Sequence, residues 1–233
     1  MLSGIMFANA AFGRPSDAAG LGRIAEQHGI ESLWTIEHTV VPADYQSRYP
    51  YSADGRMPGG ENGPMPDPLI WLAFVAASTE RLRLATGIVI LPQRNPVILA
   101  KEAATLDVLS NGRFTLGVGV GWLAEEFAAL GVPFDDRGRR TDEYITALRS
   151  LWREDEPTFS GEFASFERAL SHPKPTQQID GAPSVPIVIG GHTKAAARRA
   201  GRIGDGFFPG LASPTKLEEL INAMRVAARD AGR

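Results

Sequence analysis

The sequence predicts an α/β fold on a parallel sheet, either closed as a barrel or open and doubly wound. Three observations carry this. Short apolar runs alternate with segments of helical periodicity along most of the chain. Two helices open on the same signal, a capping residue followed by proline, at Asp67-Pro68 and Asn95-Pro96. Glycines and polar residues cluster just after several apolar runs, where a strand would hand over to a helix.

The elements follow in order. Leu2–Phe7 is a first strand: it is apolar and lacks the basic start of a signal peptide. Ser16 is placed as the cap of a helix with Leu21, Ile24, Ala25 and His28 on its apolar face, and Gly29 ends it. Ser32–Ile36 is strand two. Asp67-Pro68 opens the helix LIWLAFVAAS, and Leu82–Leu91 is strand three. After Asn95-Pro96, a stripe of Val97, Ala100, Ala104 and Val108 marks the next helix. Gly112–Val120 is strand four. Helices over Trp122–Leu130 and Arg140–Trp152 follow, the second with Tyr144, Leu148, Leu151 and Trp152 facing the core. Val185–Ile189 is strand five, Thr193–Gly201 a helix and Gly204–Phe208 strand six. Ser213-Pro214 opens a last helix with Leu217, Leu220, Ile221, Met224 and Ala228 on one face.

Two stretches break this rhythm within what reads as a single domain, 1–233. Residues 40–66 hold nine Pro or Gly among 27 and three of the four tyrosines, Tyr45, Tyr49 and Tyr51. A loop that long in a compact domain is expected to be a lid or binding segment. Residues 155–185 hold a hairpin (TFSGEFASF) and a proline-rich link. The rest accommodates about six βα units at roughly 30 residues each. A closed eight-unit barrel takes about 250 residues before such insertions.

Composition removes several function classes. With 24 Lys and Arg against 27 Asp and Glu, the net charge is −3, so no basic excess exists to neutralise nucleic-acid phosphates. The absence of cysteine excludes disulfide scaffolds and thiolate metal sites. The longest apolar run, Leu69–Ala77, is far below the ~20 residues of a membrane span. A soluble, cytoplasmic chain is expected. HExxH, HxH and GxSxG are all missing from the sequence, so no metal site and no serine-hydrolase elbow is predicted.

In parallel α/β folds ligands sit at the C-terminal ends of the strands. The residues there are Glu37-His38, Gln93-Arg94, Gly119-Val120-Gly121-Trp122, Gly190-Gly191-His192-Thr193 and Pro209-Gly210. Imidazole as a group changes charge near neutral pH, so a histidine here is suited to moving a proton, with Glu37 beside it as the alternative acid or a cofactor-binding group; the other reading of His38 is a loop histidine with a local partner. Gly190-Gly191 runs from a strand into a helix, which suits a phosphate; the alternative is a tight turn capped by Thr193. The alternating glycines 117, 119 and 121 do not form GxGxxG. They leave room for a ligand or for another backbone. Asp107, Arg113, Arg137, Arg139, Arg140, Asp142 and Glu143 are expected in structural ion pairs or on solvated faces.

At this point the chain resembles a known family. The run TGIVILPQRNPVILAKEAATLDVLSNGRFTLGVGVGWLAEEFAALG is similar to the core of the luciferase-like flavin and deazaflavin oxidoreductases. So are RGRRTDEY, the FSGEF hairpin before PKP, and VPIVIGG followed by GDGFFP. The resemblance runs over nearly the whole chain and is nearest to members that use coenzyme F-420. It implies a TIM-type (β/α) barrel with the cofactor across the C-terminal rim. Relative to that barrel, six strands leave the last two β/α units missing, so either a shortened form or an unusual closure is expected. Two exposed sheet edges would then favour a homo-oligomer. The resemblance implies that Glu37 and His38 match an acid–His pair, with His38 as the proton-transfer residue. It implies that Gly87-Ile88 forms a non-prolyl cis peptide behind the ring, that Gly119 to Trp122 (with Val120 and Gly121) follow the cofactor tail, and that Gly190, Gly191 and Thr193 hold its phosphate. The expected activity is hydride exchange between coenzyme F-420 and a small organic substrate. An FMN-dependent monooxygenase and a non-catalytic family member are the alternatives.

Overall fold

The computed structural model describes residues 2–233. In chain order its elements begin with β1 (Gly4–Ile5), α1 (Ala8–Ala11), α2 (Pro15–Gln27), β2 (Ser32–Thr35) and α3 (Pro68–Ala76). Next come β3 (Arg83–Thr86), β4 (Val89–Ile90), α4 (Pro96–Leu109), β5 (Phe114–Gly119), α5 (Ala124–Ala129) and α6 (Arg137–Arg153). The second half holds β6 (Phe159–Ser160), β7 (Ser165–Phe166), β8 (Gln178–Ile179), β9 (Ala182–Pro183), β10 (Ile187–Gly190), α7 (Lys194–Ile203), β11 (Gly206–Phe208) and α8 (Pro214–Asp230).

The main sheet is parallel, in the order β1-β2-β3-β5-β10-β11, with β4 also paired to β5. All six predicted strands are therefore present. The third is divided into β3 and β4 by the cis peptide Gly87–Ile88. Where the ladder breaks, the Thr86 hydroxyl takes over: it donates to Gly117 O (2.7 Å) and accepts from Gly117 N (2.8 Å). A Cβ on Gly117 would lie 1.8 Å from Thr86 O, so that glycine leaves room for a neighbouring backbone. The sheet curls into a half-barrel. Trp34 on β2 and Phe208 on β11 stack across its inside, ring centroids 5.1 Å apart.

Between sheet and helices lies one apolar core, including Leu33, Leu84, Phe114, Leu116, Val118 and Ile187 against Leu72, Val75, Leu99, Leu148 and Trp152. The α6 stripe of Tyr144, Leu148, Leu151 and Trp152 is buried as predicted. The caps at Asp67, Asn95, Thr193 and Ser213 each accept a backbone N–H of the following turn.

Other details differ. Helix α2 begins at Pro15, so Ser16 lies inside its first turn, where its hydroxyl meets Asp17 and caps nothing. The buried face of α2 is Ala18, Gly22 and Ala25, while Ile24 and His28 are exposed. Gly22 is the reason: a Cβ there would lie 2.8 Å from Val75, so α2 and α3 approach along the small residues. On α4 the buried stripe is rotated to Leu99, Ala100, Ala103, Leu106 and Asp107, leaving Val97 and Val108 partly exposed. Only Leu220 of the α8 stripe is fully buried. Leu217, Ile221, Met224 and Ala228 line a groove of about 620 Å³ beside β11.

The predicted charged residues are structural. Arg113 donates to the carbonyls of Ala76, Thr79, Leu82 and Ser110. Asp142 pairs with Arg199 and Arg202. Among the described residues, no helix is long and apolar enough to cross a membrane.

Candidate active site

Successive residues of an extended chain point in opposite directions, and the end of β2 uses this to separate two functional groups. Glu37 turns inward and is 6 % exposed. It accepts from Ile90 N (2.5 Å) and from the Arg94 guanidinium, which also reaches Asp67 (2.7 Å). Burial pushes the Glu37 carboxyl up, while Arg94 and the Ile90 N–H pull it back down. Its oxygens are thus engaged by protein donors, and they tie β2 to β4 and to the cap of α3.

His38 turns the other way. Its Nδ1 lies 2.8 Å from Oε2 of Glu126 on α5, whose side chain is fully buried. A carboxylate only accepts, so Nδ1 carries the proton toward it and Nε2 is the nitrogen left for other chemistry. Oε1 of the same carboxylate accepts from Thr39 N (2.6 Å) and Val40 N (3.3 Å), the first residues of the 40–66 loop. The neighbouring Glu125 accepts from Gln46 N (2.7 Å) and Ser47 N (3.1 Å), within the first third of the loop. Its carboxyl is held down at about 2 by the Ser47 side chain and by these backbone N–H groups. At the loop's far end Asn9, fully buried, donates to both Ile36 O and Pro66 O (2.8 Å each). The loop is therefore fastened at both roots and again at Gln46 and Ser47, all to elements around the end of β2.

Between these fastenings the loop lays aromatic rings across the mouth of the half-barrel. From His38 the chain of edge contacts runs to Trp122 (5.6 Å), Tyr49 (5.2 Å), Tyr51 (5.4 Å) and His192 (4.8 Å). It spans the rim from the end of β2 to the turn after β10. Tyr45, buried, adds a second edge contact to Trp122 at 5.4 Å. Burial raises the hydroxyls of Tyr49 and Tyr51 and, with Lys216 nearby, lowers His192. Tyr49, Tyr51 and His192 thus present uncharged aromatic groups to the mouth at neutral pH.

The rim glycines have individual reasons. The side chain of Ile88 occupies the space beside Gly119 and Gly190: a Cβ on either would approach it to 2.8 and 2.4 Å. Gly121, at φ 81°, sits where a Cβ would meet Ile90 and Phe127 at 2.7 Å. Gly191 adopts φ 136° and gives its N–H to Phe208 O (3.1 Å). Thr193 caps α7 through Ala196 N (3.2 Å). Any anion at this turn is left with the first-turn N–H groups of Lys194 and Ala195, which a helix cannot satisfy internally.

Of the residues the sequence placed at the rim, the structure brings together His38, Trp122 and the 190–193 turn, with Val120 beside them on the β5 turn, and it sets Glu37 behind them. Glu126 and the anchoring roles of Glu125 and Asn9 were not found from sequence. The signal available was the acidic pair Glu125-Glu126 in the first turn of α5, which suits a helix N-terminus. Three side chains near the rim have buried polar atoms without a partner among the described residues: both amide atoms of Gln93, following β4, Oε2 of Glu125, and Nδ1 of His192. No cluster of metal-ligating side chains occurs among the described residues.

The sequence matches the luciferase-like monooxygenase family over residues 4–233. It is 33 % identical to the F420-dependent glucose-6-phosphate dehydrogenase of Nakamurella multipartita over 94 % of this chain and 60 % of that one. The chain spans about three fifths of the length of such curated relatives. The fold superposes on monooxygenase RslO1 from Streptomyces bottropensis with TM-score 0.78 and 30 % identity, covering 100 % of this chain and 67 % of that one. It superposes equally, at TM-score 0.78 and 25 % identity, on an F420-dependent secondary alcohol dehydrogenase bound to an F420–acetone adduct, covering 100 % of this chain and 65 % of that one. The family match covers nearly the whole chain and the curled parallel sheet superposes on its members, and the chain belongs to the luciferase-like monooxygenase family.

Proposed function

We propose that this chain carries the cofactor rim of an oxidoreductase that uses coenzyme F-420, with His38 as the proton-transfer residue. The observation that carries the reading is the His38–Glu126 pair. It holds an imidazole at the C-terminal end of a strand, beneath an aromatic lid, with Nε2 free of protein partners. The residues present fit such a group. Gln93 and His192 hold buried polar atoms without partners near the mouth, as hydrogen-bonding partners for a polar heterocycle would. The first-turn N–H groups of α7 suit its phosphate. The kinship to two F420-dependent dehydrogenases supports the choice of cofactor.

A bound deazaflavin supplies two-electron hydride acceptance and donation at its ring. The protein's part is positioning and proton movement. For an alcohol substrate Nε2 of His38 would take the hydroxyl proton, and a deazaflavin held at the rim would supply the acceptor for the hydride of the carbinol carbon. The lid rings of Tyr49, Tyr51 and Trp122 cover the mouth and exclude water from the reacting atoms. Ile88, wedged between Gly119 and Gly190, fills the floor. Gly119, Val120, Gly121 and Trp122 line the path assigned to the cofactor tail, and Gly190, Gly191 and Thr193 the phosphate end.

An FMN-dependent monooxygenase is the second reading, favoured by the likeness to RslO1. Parallel titration with coenzyme F-420 and with FMN, followed by cofactor fluorescence, separates them. Binding of the deazaflavin with little affinity for FMN supports the proposal. The reverse preference transfers it to oxygen chemistry, and binding of neither overturns both.

A further inference from the structure

We infer that Glu126 is the positioning residue of His38 and that it makes the tautomer of His38 depend on the root of the lid. The inference rests on the reading of His38 given above. One buried carboxylate performs two tasks with two oxygens. Oε2 faces His38 Nδ1 at 2.8 Å, and Oε1 faces the N–H groups of Thr39 and Val40 at 2.6 and 3.3 Å. All three groups around it are donors, so only an acceptor on both sides satisfies the site. The side chain of Glu126 is fully enclosed and that of His38 8 % exposed, so water offers little substitute for either contact. His38, Thr39 and Val40 are consecutive. The lid therefore leaves the catalytic position along the same three residues that the carboxylate grips. When the root is seated, the imidazole is held with its proton on Nδ1 and Nε2 open. When the root lifts, the carboxylate loses its backbone donors and the ring loses its fixed partner. An orienting carboxylate behind a histidine sets both ring angle and tautomer.

A glutamine at this position has the right shape and the wrong chemistry. Its amide offers one acceptor and one donor, whereas the site needs two acceptors. If the oxygen stays on Thr39 and Val40, the amide nitrogen donates to Nδ1 and drives the ring proton to Nε2. If the oxygen turns to His38, the amide nitrogen faces two N–H donors and the lid root is released.

The test uses the whole 233-residue chain without cofactor, labelled with ¹⁵N. Two-bond ¹H–¹⁵N spectra of the four histidines report each tautomer, and a His38→Gln sample assigns the His38 signals. In the wild type, His38 is expected as the Nδ1–H form with a strongly hydrogen-bonded ring proton; an Nε2–H form overturns the inference without any variant. In Glu126→Gln, either His38 changes to the Nε2–H form or amide exchange at Thr39 and Val40 accelerates about tenfold or more, as expected on losing bonds to a charged acceptor. An unchanged tautomer together with unchanged exchange overturns it. Glu126→Asp keeps two acceptor oxygens and is expected to restore the Nδ1–H form; failure to restore it, in a chain with wild-type amide dispersion, also counts against positioning. These readouts require no coenzyme F-420. If the cofactor titration fails while the tautomer responds, the functional reading falls and the Glu126 coupling stands.

Discussion

The two long connections of this chain, residues 40–66 and 155–185, have similar length, yet they are fastened to different things. The second is bound to the scaffold. Asp107, fully buried on α4, accepts from Thr176 N, Gln177 N and the Gln177 side chain. Glu143 on α6 takes the N–H groups of Glu162, Phe163 and Ala164 in the turn between β6 and β7. Lys174 reaches the carbonyls at the end of α6, and Phe163 and Phe166 pack on the main core. The first insertion is bound to the rim instead, through Asn9, Glu125 and Glu126. Backbone fastened by a distant buried carboxylate behaves as part of the fold. Backbone fastened by the carboxylate that also holds His38 moves, when it moves, at the proposed site.

The comparison breaks first at its ends. His38→Ala is expected to lower cofactor-linked turnover by ~10²–10⁴, because a proton-transfer group is lost, and to cost about 1–3 kcal/mol of stability, because the enclosed Glu126 carboxylate loses a donor. Unchanged turnover removes His38 from the chemistry. Asp107→Ala is the mirror case. It orphans donors in the link and is expected to cost about 3 kcal/mol of stability, visible in urea unfolding, while cofactor affinity stays within a few-fold. A loss of affinity with no loss of stability would make the link part of the site.

A third substitution tests the floor between the two insertions. Gly190→Ala puts a methyl group against Ile88 and is expected to cost about 2 kcal/mol by overpacking. Adding Ile88→Ala is expected to recover part of that loss, and strict additivity in the double variant would show that the two side chains do not meet. The smallest effect lies at the second fastening of the 40–66 loop. Glu125 is half-buried and holds two loop N–H groups through Oε1, so Glu125→Gln is expected to change unfolding by less than Asp107→Ala does and to speed amide exchange at Gln46 and Ser47. Its carboxyl is held below the ordinary 4.5, at about 2. The contribution of this fastening is therefore complete above pH 4.5 and is lost as pH falls toward 2. Lid fluctuations that instead grow between pH 6 and 8 would assign the fastening to another group.

The six strands were legible because a parallel sheet buried on both faces writes each strand as an apolar run. The caps at Asp67 and Asn95 were legible because proline at the first helical position admits few alternatives. The helix faces were read less well. On α2 and α4 the close approach is made by Gly and Ala, which weigh little in a hydrophobic stripe, so Ile24, Val97 and Val108 drew the face outward. The hairpin β8–β9 was missed although Asp180-Gly181, at φ 54° and 77°, has the residues a two-residue turn favours. At the site, His38 and the aromatic residues of the lid were visible by type and position. Glu126 was not, because its partner lies 88 residues away and only the curl of the sheet brings them together.

The ring chain across the mouth has an optical consequence. Trp122 is its hub, in edge contact with His38, Tyr45 and Tyr49, whereas Trp152 is sealed in the core and Trp71 is held by the Phe12 carbonyl. Trp122 touches two tyrosines of the 40–66 loop, so its surroundings change with any displacement of that loop. Its emission gives the protein a built-in clock for opening and closing, readable in a stopped-flow instrument without any attached dye.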